Sequence, residues 1–210
     1  MCQALQKQYL FLFLKMNLTV GKCYHVYNRG NNRQPIFFSD DNYVFFLRKI
    51  RHFISPVAEI ISWTLMPNHF HLLIYANENS VKTATRNGIA VQQFSEGIKG
   101  LLSSYTKAIN KQNNQSGSLF QQKTKAKEID LNSELQLMIA FHYIHQNPLK
   151  AGLVKRMEDW PFSSFRDYMN LRNGTICNKE LARQMISLDL ATFYNDSYAA
   201  ISDEKIQLIY

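Results

Sequence analysis

The feature that most constrains the fold is a pair of apolar runs separated by a short turn signal. Residues 58–66 and 69–76 are rich in β-branched, aromatic and leucine side chains, and Pro67–Asn68 lies between them. Proline at the second and asparagine at the third position of a four-residue turn favour a tight reversal. The two runs are therefore predicted to form an antiparallel β-hairpin.

The elements around this hairpin complete a recognisable order. The pattern predicts a strand over 22–28, a helix over 43–54, a helix over about 89–111 and a strand over 118–129. With the hairpin in the middle, the order is strand, helix, strand, strand, helix, strand. This order is typical of the ferredoxin-like split βαβ arrangement, an antiparallel sheet with two helices on one face. The predicted fold class is therefore α+β.

A further helix is predicted over about 133–147, and Pro148 is expected to end it because the residue before a proline disfavours the helical region. The chain after it is expected to be helical but less regular. Since Met16 could serve as a start, residues 1–15 are interpreted as an extension. The predicted division is this extension, a main domain over 16–170 and a C-terminal helical extension over 171–210.

Length and composition exclude several classes of protein. A chain of 210 residues with 46% hydrophobic residues is neither wholly disordered nor in need of a disulfide or metal staple. The three cysteines, Cys2, Cys23 and Cys177, are widely spaced and include no CxxC pair, which indicates reduced thiols and no zinc knuckle. The apolar run Tyr9–Leu14 is too short for a membrane span. We therefore expect a cytoplasmic protein that does not enter a membrane.

The formal net charge of +8 is concentrated in the first two thirds of the chain. Residues 1–56 carry eight Lys or Arg and two Asp, and residues 97–127 carry six Lys and no acid. Residues 157–210, in contrast, carry eight acids and five bases. This division favours a polyanion-binding body and a C-terminal segment that does not contact the polyanion. Alternating lysines within 123–127 would share one face of a strand, although a solvated lysine face is the alternative.

The second strand of the hairpin carries the motif His69-Phe70-His71. Side chains two residues apart on a strand point to the same side, so the two imidazoles could converge on one cation while Phe70 packs into the opposite face. Two structural histidines in a sheet are the alternative interpretation of this motif taken alone.

A second group of polar residues lies on the predicted helix over 133–147. Tyr143 and Asn147 are four residues apart and therefore share one helix face. An amide oxygen is a suitable ligand for a hard divalent cation, and a tyrosine one turn away would lie beside that cation. The alternative interpretation is that Tyr143 and Asn147 only belong to an ordinary helix end. Together with the histidine pair, the arrangement could polarise a phosphate oxygen and present a tyrosine nucleophile to it.

Five segments in order closely resemble the REP-associated tyrosine transposases, which are single-tyrosine HUH enzymes related to the transposases of minimal bacterial insertion elements. The match runs from about Lys22 to Tyr168. The segments are YHVYNRGNNRQPIF (24–37), SWTLMPNHFHLLI (62–74), GSLFQQKTKAKEI (117–129), YIHQNPLKAGLV (143–154) and WPFSSFRDY (160–168).

The resemblance implies an HUH nuclease fold and a role for each motif residue. His69, His71 and Asn147 would bind Mg²⁺ or Mn²⁺, and Tyr143 would be the nucleophile. The family cuts one strand of hairpin-forming DNA through a 5′-phosphotyrosine intermediate and leaves a free 3′-hydroxyl. The implied partner is therefore single-stranded or hairpin DNA in the nucleoid. The family also implies a monomer, while a dimer with exchanged helices is the alternative.

Arg29, Lys123 and Lys125 are predicted to contact the nucleic acid. Many relatives have arginines where this chain has Gln122 and Lys123, and lysine lacks the bidentate fork that clamps a phosphate. Phosphate contacts at this strand are therefore expected to be weaker here than in those relatives.

Tyr105 is the rival nucleophile, because it is also helical and flanked by lysines. Four residues after it stands Ile109, which cannot bind a metal, and Asn110 is rotated away from the Tyr105 face. We therefore interpret Tyr105 as a core or DNA-flanking residue. For the whole chain, the alternative to an enzyme is a non-catalytic protein that binds palindromic DNA or RNA.

Overall fold

The computed structural model describes residues 16–86, 88–131, 133–189 and 191–210. The predicted N-terminal extension, residues 1–15, lies outside these ranges. Within them, no helix is long and apolar enough to cross a membrane.

Strands and longer helices lie between residues 16 and 150, and short helices follow. The strands are β1 (Cys23–Arg29), β2 (Glu59–Met66), β3 (His69–Tyr75), β4 (Thr83–Arg86), β5 (Ile89–Gln92) and β6 (Lys125–Ile129). The helices are α1 (Asp40–Phe53), α2 (Glu78–Val81), α3 (Gln93–Gln112), α4 (Glu134–Lys150), α5 (Phe165–Tyr168), α6 (Lys179–Ile186), α7 (Phe193–Tyr198) and α8 (Asp203–Gln207). Short 3₁₀ turns lie at Asn31–Arg33 and Met157–Asp159.

The central sheet has the strand order β2-β3-β1-β6, and every neighbouring pair is antiparallel. This is the order of the ferredoxin-like arrangement, so the predicted α+β class is confirmed. The predicted hairpin is also confirmed as β2 and β3, joined at Pro67–Asn68. The Pro67 carbonyl accepts from the backbone N–H groups of Ile36 and Phe37, which ties the turn to the segment before α1.

The prediction that a helix begins near residue 89 is wrong. Residues 89–92 form β5, which pairs with β4 in a separate two-stranded hairpin, and α3 begins at Gln93. Gly88 has a φ of +79° at the turn, a conformation that glycine adopts without steric cost. The β-branched residues of the two short strands favour this pairing over a helix. Strand β6 is likewise shorter than predicted, since it begins at Lys125.

The expectation that Pro148 ends the late helix is also wrong, because α4 continues to Lys150. A proline removes one backbone N–H donor and crowds the preceding turn. The Asn147 side chain donates from Nδ2 to the Tyr143 carbonyl at 2.8 Å, which supports the backbone of this last turn.

Apolar side chains cover the sheet on both faces. On one face, Phe70, Leu72 and their neighbours pack against α1 and α3. On the other face, a second cluster joins Leu73 of the sheet to α4 and to the C-terminal segment, including the fully buried Phe193 and Ile209. The C-terminal helices therefore pack on the same sheet as the rest of the chain.

Phe70 separates the two histidines of the motif in sequence and points away from them into the first cluster, where its ring lies 5.3 Å from that of Phe46. Phe70→Ala is predicted to lower the free energy of unfolding by about 3–5 kcal/mol, because it leaves a cavity in a packed core. Urea denaturation measures this change. Phe38, whose side chain is 47% exposed, provides the control, and Phe38→Ala should have little effect. Equal effects of the two substitutions would contradict this packing.

Candidate active site

The two motif histidines lie side by side on the sheet face that α4 covers. His69 and His71 are on β3, and their ring centroids are 4.9 Å apart with the rings perpendicular. Antiparallel pairing places Arg29 opposite His69 and Tyr27 opposite His71 on β1. Strand alternation thus brings cationic, aromatic and imidazole side chains together on one face.

The hydrogen bonds of His71 determine which of its ring nitrogens is free. His25 Nδ1 lies 2.9 Å from the backbone carbonyl oxygen of Ile209, which can only accept, so this nitrogen carries the hydrogen. In a neutral ring, His25 Nε2 is then an acceptor, and it lies 2.8 Å from His71 Nδ1. His71 Nδ1 must therefore donate, which leaves a lone pair on Nε2. That atom is buried and has no hydrogen-bond partner among the described residues.

His69 shows the same division of roles. Its Nδ1 lies 2.6 Å from Oδ1 of Asn68, whose Nδ2 donates to the Arg33 carbonyl at 3.1 Å. The amide orientation fixed by Arg33 makes Oδ1 the acceptor, so His69 Nδ1 donates and its Nε2 keeps a lone pair. Both motif histidines therefore have Nε2 as the nitrogen available to a ligand.

Burial keeps these imidazoles neutral at pH 7. Desolvation lowers the pKa of His25 to about 4, partly offset by its bond to Ile209. Desolvation, with a contribution from the Arg29 charge, lowers the pKa of His69 to about 4. Desolvation and the neighbouring histidines hold the pKa of His71 well below its usual value. Neutral imidazole is the form that binds a metal ion.

Helix α4 brings Tyr143 and Asn147 over this face. The Tyr143 ring centroid lies 6.4 Å from that of His71. The Asn147 side chain donates from Nδ2 to the Tyr143 carbonyl, which leaves Oδ1 as the amide atom without a donor among the described residues. The Lys150 ammonium lies 5.3 Å from the Tyr143 ring centroid, and partial burial lowers its pKa. Residues 143, 147 and 150 form one stripe along the helix.

The last residue of the chain reaches the Tyr143 hydroxyl. Tyr210 donates a hydrogen bond from its hydroxyl to that of Tyr143 at 3.0 Å, and its ring lies 5.2 Å edge-on to His25. Burial, followed by the neighbouring Tyr143, raises the pKa of Tyr210, so its hydroxyl remains a protonated donor at neutral pH. The charge pattern predicts a C-terminal segment that does not contact the polyanion, whereas Tyr210 contacts the predicted nucleophile.

One cavity of about 640 Å³ contains every residue predicted to belong to the site. The seven predicted residues in its lining are Arg29, His69, His71, Lys123, Lys125, Tyr143 and Asn147. The other lining residues are Tyr27, Asn28, Arg33, Asn68, Gln121, Gln207 and Tyr210. A second groove along the exposed edge of β6 shares Tyr27, Lys123, Lys125 and Tyr210 with this cavity and also includes Lys127. The alternating lysines therefore line one continuous basic surface.

Tyr105, the rival nucleophile, and the two histidines of α4, His142 and His145, lie outside the cavity. Tyr105 is fully buried on the opposite side of the sheet and donates from its hydroxyl to the Ile36 carbonyl at 2.7 Å. Ring nitrogens of His142 and His145 lie 3.0 and 2.7 Å from the hydroxyls of Ser197 and Ser164. The interpretation of Tyr105 as a core residue is confirmed.

Sequence reasoning missed His25, Lys150 and Tyr210. His25, Tyr27 and Arg29 follow each other at intervals of two residues on β1 and therefore share one face. The strand period could thus have placed His25 on the site face. Lys150 follows Tyr143 by seven residues on a helix, which is also a readable signal. The position of Tyr210 depends on how the C-terminal helices pack, and nothing in the local sequence indicates it.

The residues present fit a divalent cation with an incomplete set of protein ligands. In the described part of the chain, no group of three or more His, Cys, Asp or Glu side chains could hold a metal ion. The donor set is instead two imidazole nitrogens and one amide oxygen. A buried acceptor without a partner costs about 1–3 kcal/mol, and a cation bound at Nε2 of His71 would offset that cost.

Comparisons with known proteins agree with the motifs. No protein-family model matches the chain. A candidate REP-associated tyrosine transposase from Haemophilus influenzae is 29% identical over 107 residues, which are 51% of this chain and 58% of that relative. The match thus spans less than two thirds of the relative's length.

A solved structure of a REP-associated tyrosine transposase bound to a REP hairpin aligns with a TM-score of 0.54 and 20% identity, over 74% of this chain and 83% of that one. Structures of a bacterial tRNA(His) guanylyltransferase-like protein with ATP and with GTP align at TM-scores of 0.38 and 0.37, too low to indicate kinship. This chain therefore shares the α+β fold of the aligned transposase. The resemblance to the REP-associated tyrosine transposases is confirmed in sequence and in structure.

The neutral buried histidines predict an acid-sensitive fold. Unfolded imidazoles bind protons as the pH falls through about 6.5, whereas His25, His69 and His142 in the folded chain do so only at about 4. The unfolded state thus binds more protons between these values, so the free energy of unfolding should fall as pH is lowered from 6.5. Each group contributes at most about 1.4 kcal/mol per pH unit.

Urea denaturation of the protein in EDTA at pH 7.0 and pH 5.5 measures this effect. His142, which lies outside the cavity, provides the matched variant, and His142→Gln should reduce the fall. An unchanged free energy of unfolding at the two pH values would contradict the assignment of buried neutral imidazoles.

Proposed function

We propose that this protein is a metal-dependent enzyme that cleaves and rejoins single-stranded DNA through Tyr143. One observation carries the proposal: the Tyr143 hydroxyl, two imidazole nitrogens with free lone pairs and the Asn147 amide line the same cavity as four cationic side chains. A tyrosine nucleophile beside a cation and a phosphate-binding surface is the arrangement that phosphodiester transfer requires.

The proposed substrate is hairpin-forming DNA with a single-stranded flank. The relative of known structure is bound to a REP hairpin, which supports this class of partner. The basic groove along β6 leads into the cavity and suits a phosphate backbone, because phosphate contacts from lysine and arginine supply most of the affinity for nucleic acid. Lys123 and Lys125 would hold the strand as point charges, and Arg29 would place one phosphate above His69.

His69, His71 and Asn147 would hold Mg²⁺ or Mn²⁺ through Nε2, Nε2 and Oδ1. When bound, such an ion supplies Lewis-acid polarisation of a phosphate oxygen and orients the phosphorus for attack. The remaining residues of the chain shape the reaction around that phosphate. Phe70 anchors the strand that carries both histidines, and the hydrogen bonds of Asn68 and His25 orient their rings.

In the proposed step, Tyr143 Oη attacks the phosphorus and forms a 5′-phosphotyrosine bond as the bond from phosphorus to the 3′-oxygen breaks. The 3′-oxygen takes up a proton and leaves as a hydroxyl, and Tyr143 loses its phenolic proton. The Lys150 ammonium and the Tyr210 hydroxyl stabilise negative charge that develops on the Tyr143 oxygen. The covalent bond preserves the phosphodiester free energy, so attack by a 3′-hydroxyl rejoins a strand without ATP.

Substitution of the nucleophile tests the proposal. Tyr143→Phe is predicted to abolish the covalent protein–DNA adduct, because it removes the hydroxyl that forms the bond to phosphorus. The assay incubates the protein with a labelled hairpin oligonucleotide and Mn²⁺ or Mg²⁺, followed by a denaturing gel. Tyr105→Phe is the matched control: it loses a buried hydrogen bond and about 1–2 kcal/mol of stability but should keep the adduct.

One result would contradict the nucleophile and another the enzyme. An adduct that persists in Tyr143→Phe would move the nucleophile to another residue. Tight hairpin binding in EDTA, with no adduct from the wild type under any divalent metal, would instead support the non-catalytic binding protein.

The lysines are predicted to act in binding and not in the chemistry. Lys123→Ala and Lys125→Ala should each weaken hairpin binding and reduce the salt slope of log K by about one, because each removes one phosphate contact. The rate of adduct formation at saturating DNA should not change. Lys107, exposed on α3 across the sheet, is the control. Unchanged affinity of both variants at low salt would remove this strand from the interface.

A further inference from the structure

A buried hydrogen-bonded chain links the C-terminus to the candidate metal site. It runs from the Ile209 carbonyl to His25 and from His25 to His71, with distances of 2.9 and 2.8 Å. His25 is fully buried, and neither of its ring nitrogens is left for a ligand. It therefore cannot bind the cation or the DNA directly, and its role has to be exerted through His71.

We propose that His25 is a positioning residue that holds His71 in the tautomer with hydrogen on Nδ1, so that Nε2 is permanently available to the cation. This inference rests on the metal site of the proposed function, but the tautomer itself is a property of the metal-free protein. It assigns a role to a residue outside the HxH motif and to the backbone of Ile209.

The direction of hydrogen-bond donation from His71 through His25 follows from the Ile209 carbonyl, which is the last group in this series. A carbonyl oxygen can only accept, so the Ile209 carbonyl fixes the hydrogen of His25 on Nδ1. His25 Nε2 then accepts from His71 Nδ1. If the His25–His71 hydrogen bond were donated in the opposite direction, His71 would carry its hydrogen on Nε2 and could not bind a metal through that atom. Free imidazole gives no comparable control, since its hydrogen exchanges between the two nitrogens.

The surroundings of His25 hold its ring in this position. The His25 ring centroid lies 5.0 Å from that of His71 and 4.8 Å from that of Tyr27, and Tyr210 contacts the His25 ring edge-on. A hydrogen-bond partner behind a ligating imidazole fixes the ring orientation and raises the basicity of the ligand, and its loss costs 10–100-fold in metal affinity in other proteins. Because Ile209 and Tyr210 close this arrangement, the C-terminal residues are part of the metal site although they supply no ligand.

Two substitutions at position 25 separate the hydrogen bond from the volume of the side chain. His25→Phe retains a ring and removes the acceptor for His71. His25→Gln retains an amide oxygen that can accept from His71 Nδ1. His142, which is also buried and neutral but bonds Ser197, provides His142→Phe as the matched control.

The first measurement is the tautomer of His71 in the metal-free protein, by long-range ¹H–¹⁵N correlation NMR of histidine-labelled samples. We expect the Nδ1–H tautomer in the wild type, in His25→Gln and in His142→Phe. His25→Phe should lose this preference. An Nε2–H tautomer in the wild type would overturn the proposal, and that result does not depend on whether the protein has any activity.

The second measurement is Mn²⁺ affinity by titration calorimetry, with circular dichroism as a check on folding. His25→Phe should bind Mn²⁺ about 10–100-fold more weakly than the wild type, and His25→Gln should recover most of the loss. Equal Mn²⁺ affinity of the wild type and His25→Phe would overturn the role of His25. If His25→Phe does not fold, the wild-type tautomer and the His25→Gln affinity still decide the question.

The two measurements also distinguish a failure of the role proposed for His25 from a failure of the proposed function. No Mn²⁺ binding by the wild type would refute the metal site of the proposed function, while the tautomer would still show whether His25 orients His71. An absent DNA adduct with normal Mn²⁺ binding would refute the strand transfer and leave the role of His25 intact.

Discussion

The antiparallel register of β3 against β1 is the constraint on which the rest of the site depends. It pairs Tyr27 with His71 and Arg29 with His69, and the alternation of the strand directs Phe70 into the opposite core. A shift of one residue would turn both histidines into packed hydrocarbon and Phe70 towards the cavity. The apolar packing of the far face therefore determines where His69 and His71 lie on the near face.

The near face is completed by α4 and by the end of the chain. A helical stripe places Tyr143, Asn147 and Lys150 over the histidines, and the C-terminal segment closes the cavity from its other side with Tyr210. Ile209 has two functions in this arrangement, because its buried side chain packs in the second cluster and its carbonyl orients His25. Stability and site geometry are thus coupled through the same few residues.

Local periodicity explains how much could be predicted from the sequence. The hairpin, the shared face of His69 and His71 and the shared face of Tyr143 and Asn147 all follow from strand and helix periods. The helix end at Pro148 and the start of α3 were misjudged because turn residues and neighbouring contacts outweigh single-residue preferences at element ends. The contacts of His25 with Ile209 join residues 184 positions apart, and only tertiary packing brings them together.

We propose that His69, His71 and Asn147 hold one divalent cation beside the Tyr143 hydroxyl. A crystal structure of the protein grown or soaked with MnCl₂, with diffraction data on both sides of the manganese absorption edge, tests it directly. We expect one anomalous peak at bonding distance from Nε2 of both histidines and Oδ1 of Asn147. An anomalous peak elsewhere on the chain, or a cavity without one at millimolar Mn²⁺, would refute this metal site.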